Sequence, residues 1–257
     1  MLILLSPAKT LDFTPTDVAI HSQPEALGEA QHLIDVMRKK SPAKVAKLMG
    51  LSASLSELNV QRYRDYATPF VLNQGAKQAL LAFKGDVYRE WPHDDYSNED
   101  YAYAQSHLRI LSGLYGWLRP MDLIAPYRLE MGTSLKTRRG PNLYRFWGTR
   151  ITTALNEAVA ADGHGMVCNL ASNEYYGAVQ PVKLSVPVVA PRFEDWKTDR
   201  FKIISFFAKK ARGMMADWII RNRVQTAEGL EAFDVGGYAF DPGVSTDAVP
   251  VFRRRTE

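Results

Sequence analysis

The chain opens with an unbroken apolar run, Met1–Leu5, stopped by Pro7, and this pattern predicts a short strand. Leu11–Pro24 has turn chemistry and no periodicity. From Glu25 to Lys40, residues Leu27, Ala30, Leu33, Ile34 and Met37 fall at helical spacing, with Lys39 and Lys40 at the carbonyl end of the dipole. Ser41-Pro42 restarts a helix, Ser as N-cap and Pro in the first turn. A third helix is predicted from Ser54 to Tyr66, and a short one over Gln74–Phe83. Asn98–Leu111 predicts a helix capped by Ser97 or Asn98, with Glu99 and Asp100 in its first turn.

The second half alternates differently. Phe146–Ala161 is amphipathic and ends at Asp162-Gly163-His164-Gly165. Strands are predicted at Met166–Ala171, Val186–Ala190 and Phe201–Phe207, followed by a helix over Lys209–Arg223. Tyr238–Asp241 and Val249–Phe252 predict terminal strands around an Asp-Pro-Gly turn. There is no internal repeat, low-complexity linker or composition break. The expected class is mixed α/β (α+β), one domain over residues 1–257 with a helix-rich first half and a mixed sheet.

Composition changes this picture only at the edges. With 257 residues and 46% of them hydrophobic, the chain can bury a substantial core. Its 23% charged content argues against wholesale disorder, and a net charge of +4 suits a polyanionic partner without requiring one. The lone cysteine, Cys168, excludes an internal disulfide framework and any Cys-rich metal site. It falls in a predicted strand, so an inert thiol is expected. The start lacks a basic region before its short apolar run, and no stretch approaches the roughly 18–20 apolar residues of a membrane span. The expectation is a soluble cytoplasmic protein with no membrane partner. Arg253-Arg254-Arg255 reads as an exposed tail, and the pattern fixes no oligomeric state.

Phe83–Met131 is the most unusual segment. It sets Lys84, Asp86, Arg109, Arg119, Asp122, Arg128 and Glu130 among Gly, Pro and bulky apolar residues such as Trp117, Leu118, Tyr127 and Leu129. Charges in such surroundings need partners, either one another or a ligand. The segment is therefore an internal brace, a binding cleft, or both.

Three other constellations carry candidate chemistry. Gly50-Leu51-Ser52 joins two predicted helices and resembles the helix-hairpin-helix of DNA repair proteins, whose Gly-hydrophobic-Gly turn aims backbone amides at a phosphate. Ser52 departs from that pattern by replacing the second glycine. Lys44 and Lys47, one turn apart, would add charge; an ordinary hairpin packing Val45, Leu48, Leu51 and Leu55 is the competing reading. Next, Lys209, Lys210 and Arg212 crowd the predicted helix start, against the dipole, where a bound anion would relieve them; a different helix start would weaken that argument. Finally, Ser6-Pro7-Ala8-Lys9-Thr10 and the run from Asn169 through Ser172 and Glu174 both follow strands and can face one cleft.

No Gly-rich phosphate loop, nucleophile elbow or His pair at metal spacing is present, and His93-Asp94-Asp95 reads as a surface turn rather than a metal site. The residues call for no cofactor and no metal.

Six blocks in order resemble the YaaA peroxide stress response family: Leu-x-Ser-Pro-Ala-Lys-Thr-Leu at the start, Phe-Lys-Gly-Asp-Val-Tyr at 83–88, Leu-Ser-Gly-Leu-Tyr-Gly-x-Leu-Arg-Pro at 111–120, Pro-Tyr-Arg-Leu-Glu-Met at 126–131, Asn-Leu-Ala-Ser at 169–172 and Phe-Lys-Ile-Ile-Ser-Phe-x-Ala-Lys-Lys-Ala-Arg-Gly at 201–213. The resemblance implies a cytoplasmic bacterial protein induced by peroxide and linked to limiting intracellular iron and oxidative damage. It also implies an unusual single-domain fold that binds duplex or branched DNA through a positive cleft and a helix-hairpin-helix.

Two functional readings stand side by side. In the first, the protein binds DNA with low sequence specificity. Lys44, Lys47, Gly50 and Ser52 hold one phosphate run, and Lys9, Lys84, Arg109, Arg119, Arg128, Lys209, Lys210 and Arg212 are cleft candidates. In the second, it is an enzyme acting on a small anionic or nucleotide-like substrate. Its pocket would combine Ser6, Asp86, Asp122, Tyr127, Glu130, Asn169, Ser172 and Glu174 with the same cations, because carboxylates embedded among cations are common in catalytic sites. No catalytic residue or reaction type follows from the pattern.

Overall fold

The computed structural model describes residues 1–92 and 95–255. The surface turn expected at His93-Asp94-Asp95 therefore lies partly outside the described residues, since only Asp95 is among them. The N-terminal apolar run forms strand β1 (Leu2–Leu5), in which every side chain is fully buried. It pairs in parallel with β2 (Leu108–Ser112), Ile3 opposite Leu108. An antiparallel β3 (Gly116–Leu118) flanks β2. On its other side β1 pairs in parallel with β4 (Val167–Asn169), Ile3 opposite Cys168, and β5 (Val188–Val189) closes that edge. Among the described residues this five-stranded sheet has the order β3-β2-β1-β4-β5. The buried apolar run of β1 suits a parallel strand covered on both faces.

A second sheet takes the C-terminal third. Its strands are β6 (Arg192–Lys197), β7 (Arg200–Lys202), β8 (Ala239–Phe240) and β9 (Val251–Arg254), in the order β7-β6-β9-β8. Two short antiparallel ladders tie loops down: Thr10–Leu11 with Phe83–Lys84, and Lys77–Gln78 with Leu123–Ile124. The longer helices are α1 (Leu27–Arg38), α2 (Pro42–Met49), α3 (Ala53–Asp65), α4 (Asn98–His107), α5 (Arg150–Asp162) and α6 (Ser205–Asn222). The mixed α/β class follows the sequence expectation. No described helix is long and apolar enough to cross a membrane.

Local chemistry explains most boundaries. Ser41 caps α2, its hydroxyl accepting from the Lys44 amide at 3.4 Å, and Gly50 ends it in the left-handed conformation at φ 63°. Ser97 and Asp100 form a reciprocal capping box that starts α4.

Four expectations are corrected. The helix expected to run through Leu111 stops at His107, because Leu108–Ser112 enters the sheet with all five residues buried; such a run carries no strand alternation. The helix expected over Phe146–Ala161 is two pieces, Leu143–Trp147 and α5, separated at Gly148, which has φ 56°. Of Gln74–Phe83 only Ala79–Ala82 is helical. The strand expected at Phe201–Phe207 is confined to Arg200–Lys202, and α6 begins at Ser205.

The arginine tail is also not free. Arg253 bonds Glu194 and Asp241 at 2.9 and 2.8 Å, and Arg254 bonds Asp195 at 2.7 Å. Arg255 lies over the Trp196 ring at 4.3 Å.

Helix α6 crosses the loop after Phe83–Lys84 with almost no clearance. A Cβ on Gly213 would stand 1.7 Å from the Val87 carbonyl oxygen, so only glycine allows this approach. Gly213→Ala should therefore displace the Val87 segment and cost about 2–3 kcal/mol. Differential scanning calorimetry should show a fall in Tm of at least about 5 °C, and an unchanged Tm would show that the two backbones are not locked together.

Candidate functional site

The carboxyl ends of β1 and β4 open on a cavity of about 970 Å³. Ser6, Pro7, Ala8, Lys9 and Thr10 leave β1 into one wall; Leu170, Ser172, Glu174 and Tyr175 leave β4 into another. A third wall is Lys84–Pro92, which carries Asp86, Tyr88 and Trp91, and α6 contributes Lys209 and Arg212. The two strand-following loops singled out in the sequence thus meet with part of the charged segment and part of the cationic helix.

Hydrogen bonds fix the floor. The Ser6 hydroxyl accepts from the Ser172 amide at 2.8 Å and donates to the Ser172 hydroxyl at 3.3 Å. Tyr88 donates its hydroxyl to the Ser6 carbonyl at 2.8 Å, and burial holds its pKa well above the phenol range. Glu174 accepts from the Gly132 amide at 3.0 Å. Gly85 passes so close to Ala8 that an added Cβ would lie 2.9 Å from the alanine Cβ. The Tyr88 and Trp91 rings stack 6.3 Å apart, making an apolar side to an otherwise polar space.

Most of the cleft's cations have long-range acidic partners. Lys9 is 3.5 Å from Glu130, Lys84 is 3.8 Å from Asp12, and Lys209 is 3.9 Å from Asp86. At the edge, Lys210 pairs with Glu90 at 2.6 Å. Arg212 differs. It is half-buried, burial lowers its pKa from the usual guanidinium value, and it has no hydrogen-bond or ion-pair partner among the described residues. Because α6 begins at Ser205, Lys209, Lys210 and Arg212 sit beyond its first turn, and the expected relief of dipole repulsion by an anion no longer applies. What places them is their face: Lys209 and Arg212, three apart, both turn to the cavity while Lys210 turns to Glu90.

Other expected cleft residues lie elsewhere. Buried Arg109 donates to the carbonyls of Gln105 and Leu108, both at 2.9 Å, and so seals the end of α4. Arg119 bonds Asp122 at 2.8 and 3.1 Å and the Gln23 carbonyl at 2.9 Å, with Glu25 at 3.3 Å. Burial pushes the Asp122 carboxyl up while Arg119 and Ser22 oppose it; Arg119 is itself held above its usual value, the charge and hydrogen bond of Asp122 outweighing the cost of its burial. This pair braces the loop before α1 rather than the cleft.

Arg128, Glu130 and Tyr127 line a small recess beside Lys9, with Arg128 and Glu130 bonded at 3.0 Å and the Tyr127 hydroxyl bonded to Ser112 at 2.7 Å. Asn169 turns back to accept from the Ala171 amide at 3.0 Å. Cys168 is buried and its thiol is pushed up by that burial. Among the described residues no group of three or more His, Cys, Asp or Glu is placed to hold a metal ion. Arg89, Glu90 and Trp91 also line the cavity and were not among the expected site residues; an aromatic followed by Pro92 in a polar run was the available signal.

The hairpin is a separate feature. Lys44 and Lys47 are exposed on α2 and are not among the residues lining the cavity. Ser52, in place of glycine, has φ −64° and ψ 163°, an ordinary extended conformation, so the departure from Gly-hydrophobic-Gly strains nothing. Its hydroxyl accepts from the Leu55 amide at 3.3 Å as the N-cap of α3. Leu55 does not join the packing expected of it: Val45 is buried, whereas Leu55 is 40% exposed. The far end of α3 is tied to the wall of the small recess by the Tyr63 hydroxyl, which donates to the Arg128 carbonyl.

Comparison with known proteins places this architecture. A family model described as peroxide stress protein YaaA matches residues 1–244. The chain belongs to the YaaA family of peroxide stress proteins. A UPF0246 protein of Aromatoleum aromaticum is 52% identical to it over 262 residues, covering 100% of both chains. One of Cellvibrio japonicus is 53% identical, covering 99% of this chain and 98% of its own, and one of Burkholderia lata is 51% identical, covering 99% of each. The YaaA match spans both the hairpin and every wall of the cleft.

The division between brace and cleft has a direct check. Arg119→Met strands the buried Asp122 carboxylate and should lower stability by about 2 kcal/mol. Calorimetry should register that loss; an unchanged Tm would show that the buried Asp122 carboxylate does not depend on Arg119.

Proposed function

We propose that this YaaA family member acts in the cytoplasm during peroxide stress by binding DNA, duplex or branched, largely without reading sequence, and so shields it from oxidative damage. The observation that carries this reading is the hairpin. Lys44 and Lys47 lie one turn apart on α2, exposed and without an acidic partner among the described residues. Beside them Gly50 opens the turn, and the first-turn amides of Ala53 and Ser54 have no intrahelical acceptor. Lysines flanking free amides fit a phosphate oxygen and ignore the base. The cleft cations Lys9, Lys84, Lys209 and Arg212 supply further positive charge. An effect on intracellular iron belongs to the same stress role by resemblance, and no metal-holding group of its own supports it among the described residues.

The test is a titration of a fluorescent duplex and a four-way junction at several salt concentrations. For each phosphate neutralised, log K should fall by about 0.9 per unit of log salt. In Lys44→Glu/Lys47→Glu affinity should drop and the slope become shallower by about 2. A slope near zero in the native protein, or a double variant that binds as the native protein does, defeats the reading.

A further inference from the structure

The cleft has features that backbone binding leaves unused. From β1 the chain adds β2 and β3 on one side of the sheet; β4 and β5 are added on the other. The order reverses between β1 and β4, and in open sheets of parallel strands small ligands settle in the crevice outside the strand ends at that point. The 970 Å³ cavity lies there. Its volume is at the upper end of the range for small-molecule sites. It is also furnished like one, with an aromatic side at Tyr88 and Trp91 and a floor held by hydrogen bonds that cross between the two loops.

The charges indicate what it would hold. Lys9, Lys84 and Lys209 are each in water and each has a carboxylate 3.5–3.9 Å away, so their charge is already shared. Exposed Arg89 can be satisfied by water, whereas Arg212 is half-buried, has no partner among the described residues and is rigidly carried, since its neighbour Gly213 is locked against Val87. A desolvated guanidinium without a partner has a fork of donors waiting for a planar or tetrahedral oxyanion. One such group matches one phosphate, not a run of them. The Thr10 and Ser172 hydroxyls and the Asp86 carboxylate share the same walls and can take hydroxyl groups of a sugar.

We infer that the crevice between the ends of β1 and β4 binds a single phosphate monoester of nucleotide size, anchored by Arg212. The phosphate can come from a free nucleotide or from the end of a DNA strand. This site is distinct from the hairpin and does not depend on it.

Isothermal titration with adenosine and thymidine 5′-monophosphate tests the inference, with the corresponding nucleosides run in parallel. The nucleotides should bind and the nucleosides should bind at least tenfold more weakly. Arg212→Gln should weaken nucleotide binding at least tenfold, and Arg212→Lys by less. Lys136→Gln, which removes one exposed charge elsewhere, should leave it unchanged. Circular dichroism and Tm establish that each variant is folded; if Arg212→Gln is not, Lys209→Gln replaces it and should weaken binding severalfold. Short single strands with a 5′-phosphate or a 5′-hydroxyl separate the two sources. Preference for the phosphorylated strand and displacement of the nucleotide by it identify a strand end, whereas binding of free nucleotides alone identifies a metabolite. Absence of nucleotide binding, equal binding of nucleosides, or an Arg212→Gln variant that binds normally would each overturn the inference. Loss of DNA binding in the Lys44→Glu/Lys47→Glu protein with nucleotide binding intact would show that the two sites are separate.

Discussion

Strand β1 is the constraint on which the rest of the structure depends. Its four residues are wholly buried and hydrogen-bonded on both sides, to β2 and to β4, so its position cannot shift without breaking two ladders. A parallel strand in that place ends where its neighbours β2 and β4 end. The loops that leave β1 and β4 are thereby brought together at one end of the sheet, although Ser6 and Ser172 are far apart in the chain. The short sequence after Leu5 is thus placed by the sheet: proline ends the strand, and serine, lysine and threonine are delivered to the crevice.

A second constraint completes the cleft. The Lys84–Pro92 segment has no long secondary structure of its own, yet it forms a wall because Gly213 lets α6 lie directly on the Val87 carbonyl. The same contact fixes Arg212. Cations in the cleft fall into two kinds as a result. The lysines are exposed or partly exposed and each has a carboxylate near it, exposed Arg89 lies in water, and half-buried Arg212 has no partner among the described residues. Interactions of the first kind between exposed groups are weak and screened by salt. Under the proposed anion site, binding strength should rest on Arg212.

Much of this was legible where chemistry is local. Ser41-Pro42, Gly50 and the apolar spacing of α1 announce their helices, and the apolar run at the start announces β1. Ser6, Lys9, Ser172 and Glu174 could be assigned to one cleft because they follow strands, and Lys209 and Arg212 because they are unusually basic near a strand-to-helix junction. The failures share a cause in distant partners. Leu108–Ser112 is an apolar run behind a helix, and only its two neighbours in the sheet make it a strand. Arg119 is a cleft candidate by pattern alone, whereas Glu25 and Gln23, remote in sequence, hold it away from the cleft. Arg253 and Arg254 read as a free tail because Glu194 and Asp195, on β6, could not be known to face them. Charge is visible in a sequence, but whether it is already spent depends on the fold.

The central claim is that the half-buried guanidinium of Arg212, which has no partner among the described residues, is an anion site. Crystals soaked in tungstate test it directly, because tungsten scatters anomalously and tungstate mimics phosphate. The account predicts an anomalous peak within hydrogen-bonding reach of the Arg212 guanidinium, between the loops that leave β1 and β4. Peaks confined to exposed lysines elsewhere, with nothing at Arg212, would contradict it.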